Sequence, residues 1–192
     1  MKLKLTLFAG LLAFLFFAFH NPVSAAEDIV SFSLGNPAEF KVVEGEITVE
    51  CSPDGYLSPG TVTLSGLKGI TRGYRALVNV GKEFRVEGGN TYYLTNWIKA
   101  SSKEQRAAKN QARAVITWYD ASHNEIGTFF TPWAIPPYDW LEYGEAGSAP
   151  KEAVTAQASF EVMYSSLGLP PPGFQPSMFV INNLTFSRTP LI

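Results

Sequence analysis

The chain has 192 residues, with 15 Lys and Arg against 17 Asp and Glu and a formal net charge of −2. The one basic stretch, Lys99 to Arg113, is interrupted by Glu104 and several alanines, so a nucleic-acid partner is excluded: phosphate backbones demand a clustered basic face. A single cysteine, Cys51, excludes a disulfide-stapled scaffold, and the fold must rest on its apolar core.

Lys2 and Lys4 precede an apolar run from Leu5 to Phe19. Asn21-Pro22 and the small residues of Val23-Ser24-Ala25 follow. A basic start, an apolar middle and a small-x-small site form a cleavable secretory signal. The expected organisation is a signal over 1–25 and a single domain over 26–192, with Ala26 as the mature N-terminus. The apolar run falls short of the ~20 residues of a comfortable membrane helix, and no later segment could span a bilayer. The mature protein is expected to be secreted or periplasmic, with no membrane span after cleavage.

Beyond the leader the pattern is strand after strand. Short candidates run over 29–34, 46–51, 61–64, 74–80, 83–86, 126–130, 140–143, 154–163 and 178–187. Cys51 ends the second of these and reads as a small buried hydrophobe. The two clearest segments are 91–99 and 112–119. In the first, Tyr92, Leu94 and Ile98 share one face; in the second, Ala114, Ile116 and Trp118 do, because alternate side chains of a strand point the same way. Phe160 and Val162 share a face by the same period. Between the clearest two, Ser101-Ser102-Lys103-Glu104 fits a capping box and 105–114 favours helix. The expectation there is a long hairpin connection with one or two helical turns. Pro53-Asp54-Gly55, Ser58-Pro59-Gly60, Gly88-Gly89-Asn90, the stretch 120–124 and the Pro-rich run at 168–176 punctuate the strands. Many short strands with regular turns predict an all-β fold, a two-sheet antiparallel β-sandwich of jelly-roll type. Its core is expected to contain Tyr92, Leu94, Ile98, Ile116, Trp118, Phe160 and Val162.

From about Gly73 onward the order of features resembles a known family. Gly73-Tyr74-Arg75-Ala76-Leu77 resembles the strand opening of a galactose-binding-like jelly roll. The signature strand of that fold is similar to the run from Val86 to Ala100, with its Gly88-Gly89, Tyr92, Leu94, Trp97 and Lys99. Ala114 to Asp120, Trp140-Leu141, Ala149-Pro150-Lys151-Glu152-Ala153 and Phe179 to Phe186 resemble the later elements in order. The family is the carbohydrate-binding modules of families four and nine and their relatives. The resemblance implies a β-sandwich and a glycan ligand. Near its structural calcium the family often carries an Asp pair and an Asn-Pro-Gly-Phe-Glu start. Here stand Asn182-Asn183 and Asn36-Pro37-Ala38-Glu39-Phe40. Amides in place of carboxylates weaken a hard-cation site, so no cofactor is expected.

Catalytic chemistry is thinly supplied. Of two histidines, His20 leaves with the signal and His123 sits in a polar turn, which leaves no base for a nucleophile relay and too few ligands for a zinc site. Asp120, Asp139, Glu142 and Glu145 could form a hydrolytic carboxylate pair, but they read as solvated charges, and a non-catalytic protein is expected. What remains is aromatic: Trp97, Trp118, Trp133, Tyr138, Trp140 and Tyr143 crowd one part of the chain. Flat rings match the apolar C–H faces of sugars, while amides and carboxylates bind hydroxyls. Trp118 and Trp140 are assigned to the core. Trp97 lies opposite the core face of its strand, and Trp133 stands in the Pro-rich loop 131–137. The expected site therefore has Trp97 and Trp133 lining one surface, Tyr138 beside them, and Asp139 or Asn96 as hydroxyl partners. The expected partner is a glycan or another cell-envelope component. The alternative is an envelope or extracellular protein-interaction β-sandwich with no sugar site.

Overall fold

In the computed structural model, which describes residues 29–66, 74–100, 111–134, 139–163 and 179–189, the alternating segments resolve into eleven strands. These are β1 (Ile29–Ser31), β2 (Phe40–Glu44), β3 (Thr48–Ser52), β4 (Thr61–Ser65), β5 (Arg75–Arg85), β6 (Thr91–Ala100), β7 (Gln111–Tyr119), β8 (Glu125–Phe130), β9 (Leu141–Ser148), β10 (Thr155–Met163) and β11 (Phe179–Ser187). One sheet has the order β3-β4-β11-β6-β9, with β1 also paired to β11; the other has the order β2-β5-β10-β7-β8. Every pairing is antiparallel. The result is the predicted two-sheet sandwich. Among the described residues no helix is long and apolar enough to cross a membrane.

The sheets close on the faces that the two-residue period selects. Tyr92, Leu94, Ile98, Ile116, Trp118, Phe160 and Val162 are all buried between them. Aromatic packing sets the layer: Tyr92 stacks on Phe186 with centroids 4.6 Å apart, and Trp118 lies between Phe129 and Phe186. The Tyr92 hydroxyl accepts from the Glu87 amide at 2.8 Å, which meets the polar need of a buried phenol. Trimming Trp118 to Ala would cost about 3–5 kcal/mol.

Three elements depart from expectation. Strand β2 has no buried residue and no alternation to betray it; it pairs along the edge of β5. The segments at 74–80 and 83–86 are one strand, because Gly81, at φ +64°, makes a bulge rather than a turn. Gln157 repairs that bulge by donating to the Val80 and Ala158 carbonyls at 2.9 and 2.8 Å. Residues 112–114 follow the strand reading of 112–119 and not the helical one of 105–114: with Gln111 they belong to β7, paired to Phe160–Met163 of β10, so tertiary pairing overrides their helix propensity. The rest of the expected connection, 101–110, lies outside the described residues, as do the leader and the Pro-rich run at 168–176. Cys51 is half-buried on β3, and desolvation pushes its thiol pKa up, which favours the neutral thiol.

Candidate functional site

Pleating sends the odd-numbered residues of β7 and β10 to the outer face of the second sheet, where a cleft of ≈ 280 Å³ opens. Its floor is an ion-pair chain. Glu161 of β10 is only 7% exposed and is the sole charge in its strand. A carboxylate so placed must be paired. Arg113, on the neighbouring strand and in register with it, supplies Nε and Nη2, each 2.6 Å from Oε2. Arg75 of β5 reaches Oε1 at 3.3 Å from the other side and donates to Glu44 of β2 at 2.9 Å. The hydrogen bond that Arg75 donates to Glu44 raises its already high pKa, and four strands share one network.

One aromatic ring, Phe130, lines the cleft, and a second, Trp133, adjoins it over Arg113. The Arg113 guanidinium carbon lies 3.8 Å from the centroid of Phe130 and 4.2 Å from that of Trp133, within cation–π range of both rings. Trp133 is held there by backbone. Thr131 is fully buried; its amide donates to the Ala114 carbonyl and its Oγ1 accepts from the Ala114 amide. Ala134 then exchanges two hydrogen bonds with Ala112, at 2.8 and 3.1 Å. These bonds seat the 131–134 segment along β7 and leave Trp133 over Arg113.

The outer face of the first sheet carries a second cluster. Tyr56, in the connection between β3 and β4, stacks on Trp140 at 5.2 Å and tilts against Trp97 at 5.7 Å. Lys99 Nζ lies 4.8 Å from the Trp140 ring. Beneath the connection, Asn182 of β11 is fully buried. Its Oδ1 accepts from the amides of Leu57 and Ser58, and its Nδ2 donates to the carbonyls of Ser58 and Gly60. Gly55 must be glycine, because a Cβ there would strike the Ser58 carbonyl.

The fold divides the expected site. Trp97 and Trp133 lie on the outer faces of opposite sheets and do not share a surface. Asn96 is 1% exposed and points to the core side of β6, with its Oδ1 unpartnered; it cannot meet a ligand on the Trp97 face, because its phase is that of Leu94 and Ile98. Trp140, assigned to the core, is half-buried in the surface cluster. Asp139 is exposed just ahead of β9, and Tyr138 lies outside the described residues. Of the four carboxylates, Asp120 accepts from Ser122, Asn124 and the Asn124 side chain in the β7–β8 turn. Glu142 and Glu145 are exposed on β9 of the other sheet. Sequence reasoning passed over Arg113, Phe130, Glu161 and Tyr56. Glu161 had a readable signal, one charge inside an apolar run that must find a partner; Tyr56 had none, because its neighbours arrive through the fold.

Calcium does not fit the region the resemblance pointed to. Both donors of the Asn182 amide and both its acceptor contacts are committed to backbone, and Asn36 caps the Pro37–Glu39 turn by accepting from the Ala38 amide. Among the described residues no three His, Cys, Asp or Glu converge as a metal site.

No family model and no curated protein matches the chain. Solved structures do. The enzymatically active domain of bacteriophage CBA120 tailspike protein 4 aligns with a TM-score of 0.56 at 18% identity, over 80% of this chain and 20% of that one. The CBM22-1-GH10 modules of a Clostridium thermocellum endo-1,4-beta-D-xylanase, complexed with xylohexaose, align at 0.57 and 12% identity, over 87% of this chain and 29% of that one. The CBM22-1 xylan-binding domain of Paenibacillus barcinonensis Xyn10C aligns at 0.55 and 10% identity, over 84% of this chain and 95% of that one. The chain thus spans under a third of the first two proteins and nearly all of the isolated domain. At these identities the likeness is one of fold, a sandwich shared with carbohydrate-binding modules.

Proposed function

We propose that this chain is an exported, non-catalytic glycan-binding module, and that its sugar site is the cleft on the outer face of the second sheet. One observation carries the reading: Arg113 is locked between two aromatic rings and a buried carboxylate on the floor of an open cleft. Such a floor offers fixed donors and acceptors for hydroxyls beside ring edges and faces for C–H surfaces. Rigid groups lose little freedom when a ligand arrives. The xylan-binding domains that share the fold support the ligand class. The cleft holds Arg75 and Arg113 against Glu44, Glu125 and Glu161, an excess of one negative charge, which favours a neutral glycan over an acidic one.

The test is affinity electrophoresis of the mature protein through gels containing neutral polysaccharides, xylan among them. Wild type should be retarded. Trp133→Ala should weaken binding at the cleft about tenfold or more, ~1.4 kcal/mol, and so reduce the retardation, while its melting temperature stays near that of wild type. Unchanged retardation of Trp133→Ala would remove the cleft from the account. The competing reading, a protein-interaction sandwich, is favoured by the exposed Val42 and Val43 on the edge strand β2. It takes over if wild type binds no glycan. Export belongs to the same proposal: N-terminal sequencing of the exported protein should begin at Ala26, and a folded protein that retains Met1 would overturn it.

A further inference from the structure

The Tyr56, Trp97 and Trp140 cluster is unused by the cleft and unneeded by the core. It stands on the outer face of the first sheet, whose inner face is already filled by Leu94, Ile98, Ile181 and Phe186. Nor does Tyr56 have to hold its own loop, because the Asn182 amide satisfies four backbone contacts beneath it. Even so, Tyr56 is 51% exposed while its ring is stacked on Trp140 and braced by Trp97. A ring presented to solvent on a rigid mount is arranged to meet something flat and apolar.

The surroundings narrow the ligand. Glu142 stands directly across β9 from Trp97, and Lys99 lies over Trp140. The rim thus offers one acceptor and one donor set with no net charge, which suits hydroxyls rather than an ionic group. Three rings with Leu57 fall well short of the ~20–30 residues that one side of a stable protein interface uses; a stretch of a few sugar rings matches the patch.

We propose that this face is a second glycan-binding platform, so that one chain carries two sugar sites on opposite sides of the sandwich and cross-links neutral polysaccharide strands. The ligand class rests on the reading of the preceding section, but the platform does not depend on the cleft. Asn182 acts on it as a positioning residue. An Asp in its place keeps the shape but cannot donate to both the Ser58 and the Gly60 carbonyls.

Calorimetric titration with xylohexaose and cellohexaose, alongside an array of neutral glycans, tests this on the mature protein. For a bound glycan, wild type should show a stoichiometry of two. Tyr56→Ala and Trp133→Ala should each leave one, and the double variant none, with melting curves close to wild type. Asn182→Asp should remove the same site as Tyr56→Ala although its side chain touches no sugar. A stoichiometry of one that survives Tyr56→Ala and falls with Trp133→Ala overturns the platform and leaves the cleft standing. A stoichiometry of one that survives Trp133→Ala and falls with Tyr56→Ala upholds the platform and removes the cleft. Binding of none of these glycans overturns both.

Discussion

The two outer faces of the sandwich hold tryptophan in opposite ways. On the second sheet Trp133 rests on a guanidinium, which rests on a buried carboxylate shared by two arginines. On the first sheet Trp97 and Trp140 meet another ring, and a neutral amide holds that ring's loop. The first arrangement depends on charge drawn out of water, where an unpaired partner is costly. The second depends on hydrogen bonds between neutral groups, each worth about 0.5–1.5 kcal/mol net. The same side-chain chemistry is therefore positioned with different sensitivities.

The largest expected effect comes from breaking the charged side. Glu161→Ala strands Arg113, which is mostly buried, and deprives Arg75 of one of its two partners. A loss of about 3 kcal/mol should follow, the low end for a broken buried pair because the cleft is open to water. Urea denaturation measures it, and a loss below about 0.5 kcal/mol would mean that the network is ornamental. Breaking the neutral side should cost less. Asn182→Asp loses a donor, and its buried carboxyl, set against two carbonyls, takes up a proton, which holds the penalty to about 1–3 kcal/mol. The shifts in its NMR spectrum should be confined to the Tyr56 face. Should Arg113 and Trp133 shift as well, the two faces are not independent.

The smallest effect lies in the β7–β8 turn, which belongs to neither face. Hydrogen bonds from the Asn124 side chain and from the Asn124 and Ser122 amides hold the Asp120 carboxyl below its ordinary value of 3.8. A depressed folded pKa stabilises the fold above the unfolded value and ceases to do so as pH falls through the folded one. The melting-temperature gap between wild type and Asp120→Ala should therefore be present at neutral pH and close in acid. A gap that stays constant across that range would contradict the assignment.

The sandwich was legible in the sequence because alternation is a local signal: Tyr92, Leu94, Ile116 and Phe160 declare their face within a few residues. Trp97 was legible for the same reason. The pairing of Trp97 with Trp133 was not, since both read as outward and only the sheet assignment separates them. Trp140 read as core because size alone argues for burial. Its actual neighbour, Tyr56, is distant in sequence and arrives by a loop clamped through Asn182. Arg113 and Glu161 were both visible, but their register across β7 and β10 is a property of the fold.

The central claim is that sugar binds in the cleft beside Trp133. The four tryptophans, Trp97, Trp118, Trp133 and Trp140, make it directly measurable. A titration of the mature protein with a bound neutral oligosaccharide can be followed through their indole N–H resonances. The account predicts that Trp133 shifts with saturation while the buried Trp118 stays in place. A ligand that binds while the Trp133 resonance does not move would contradict it.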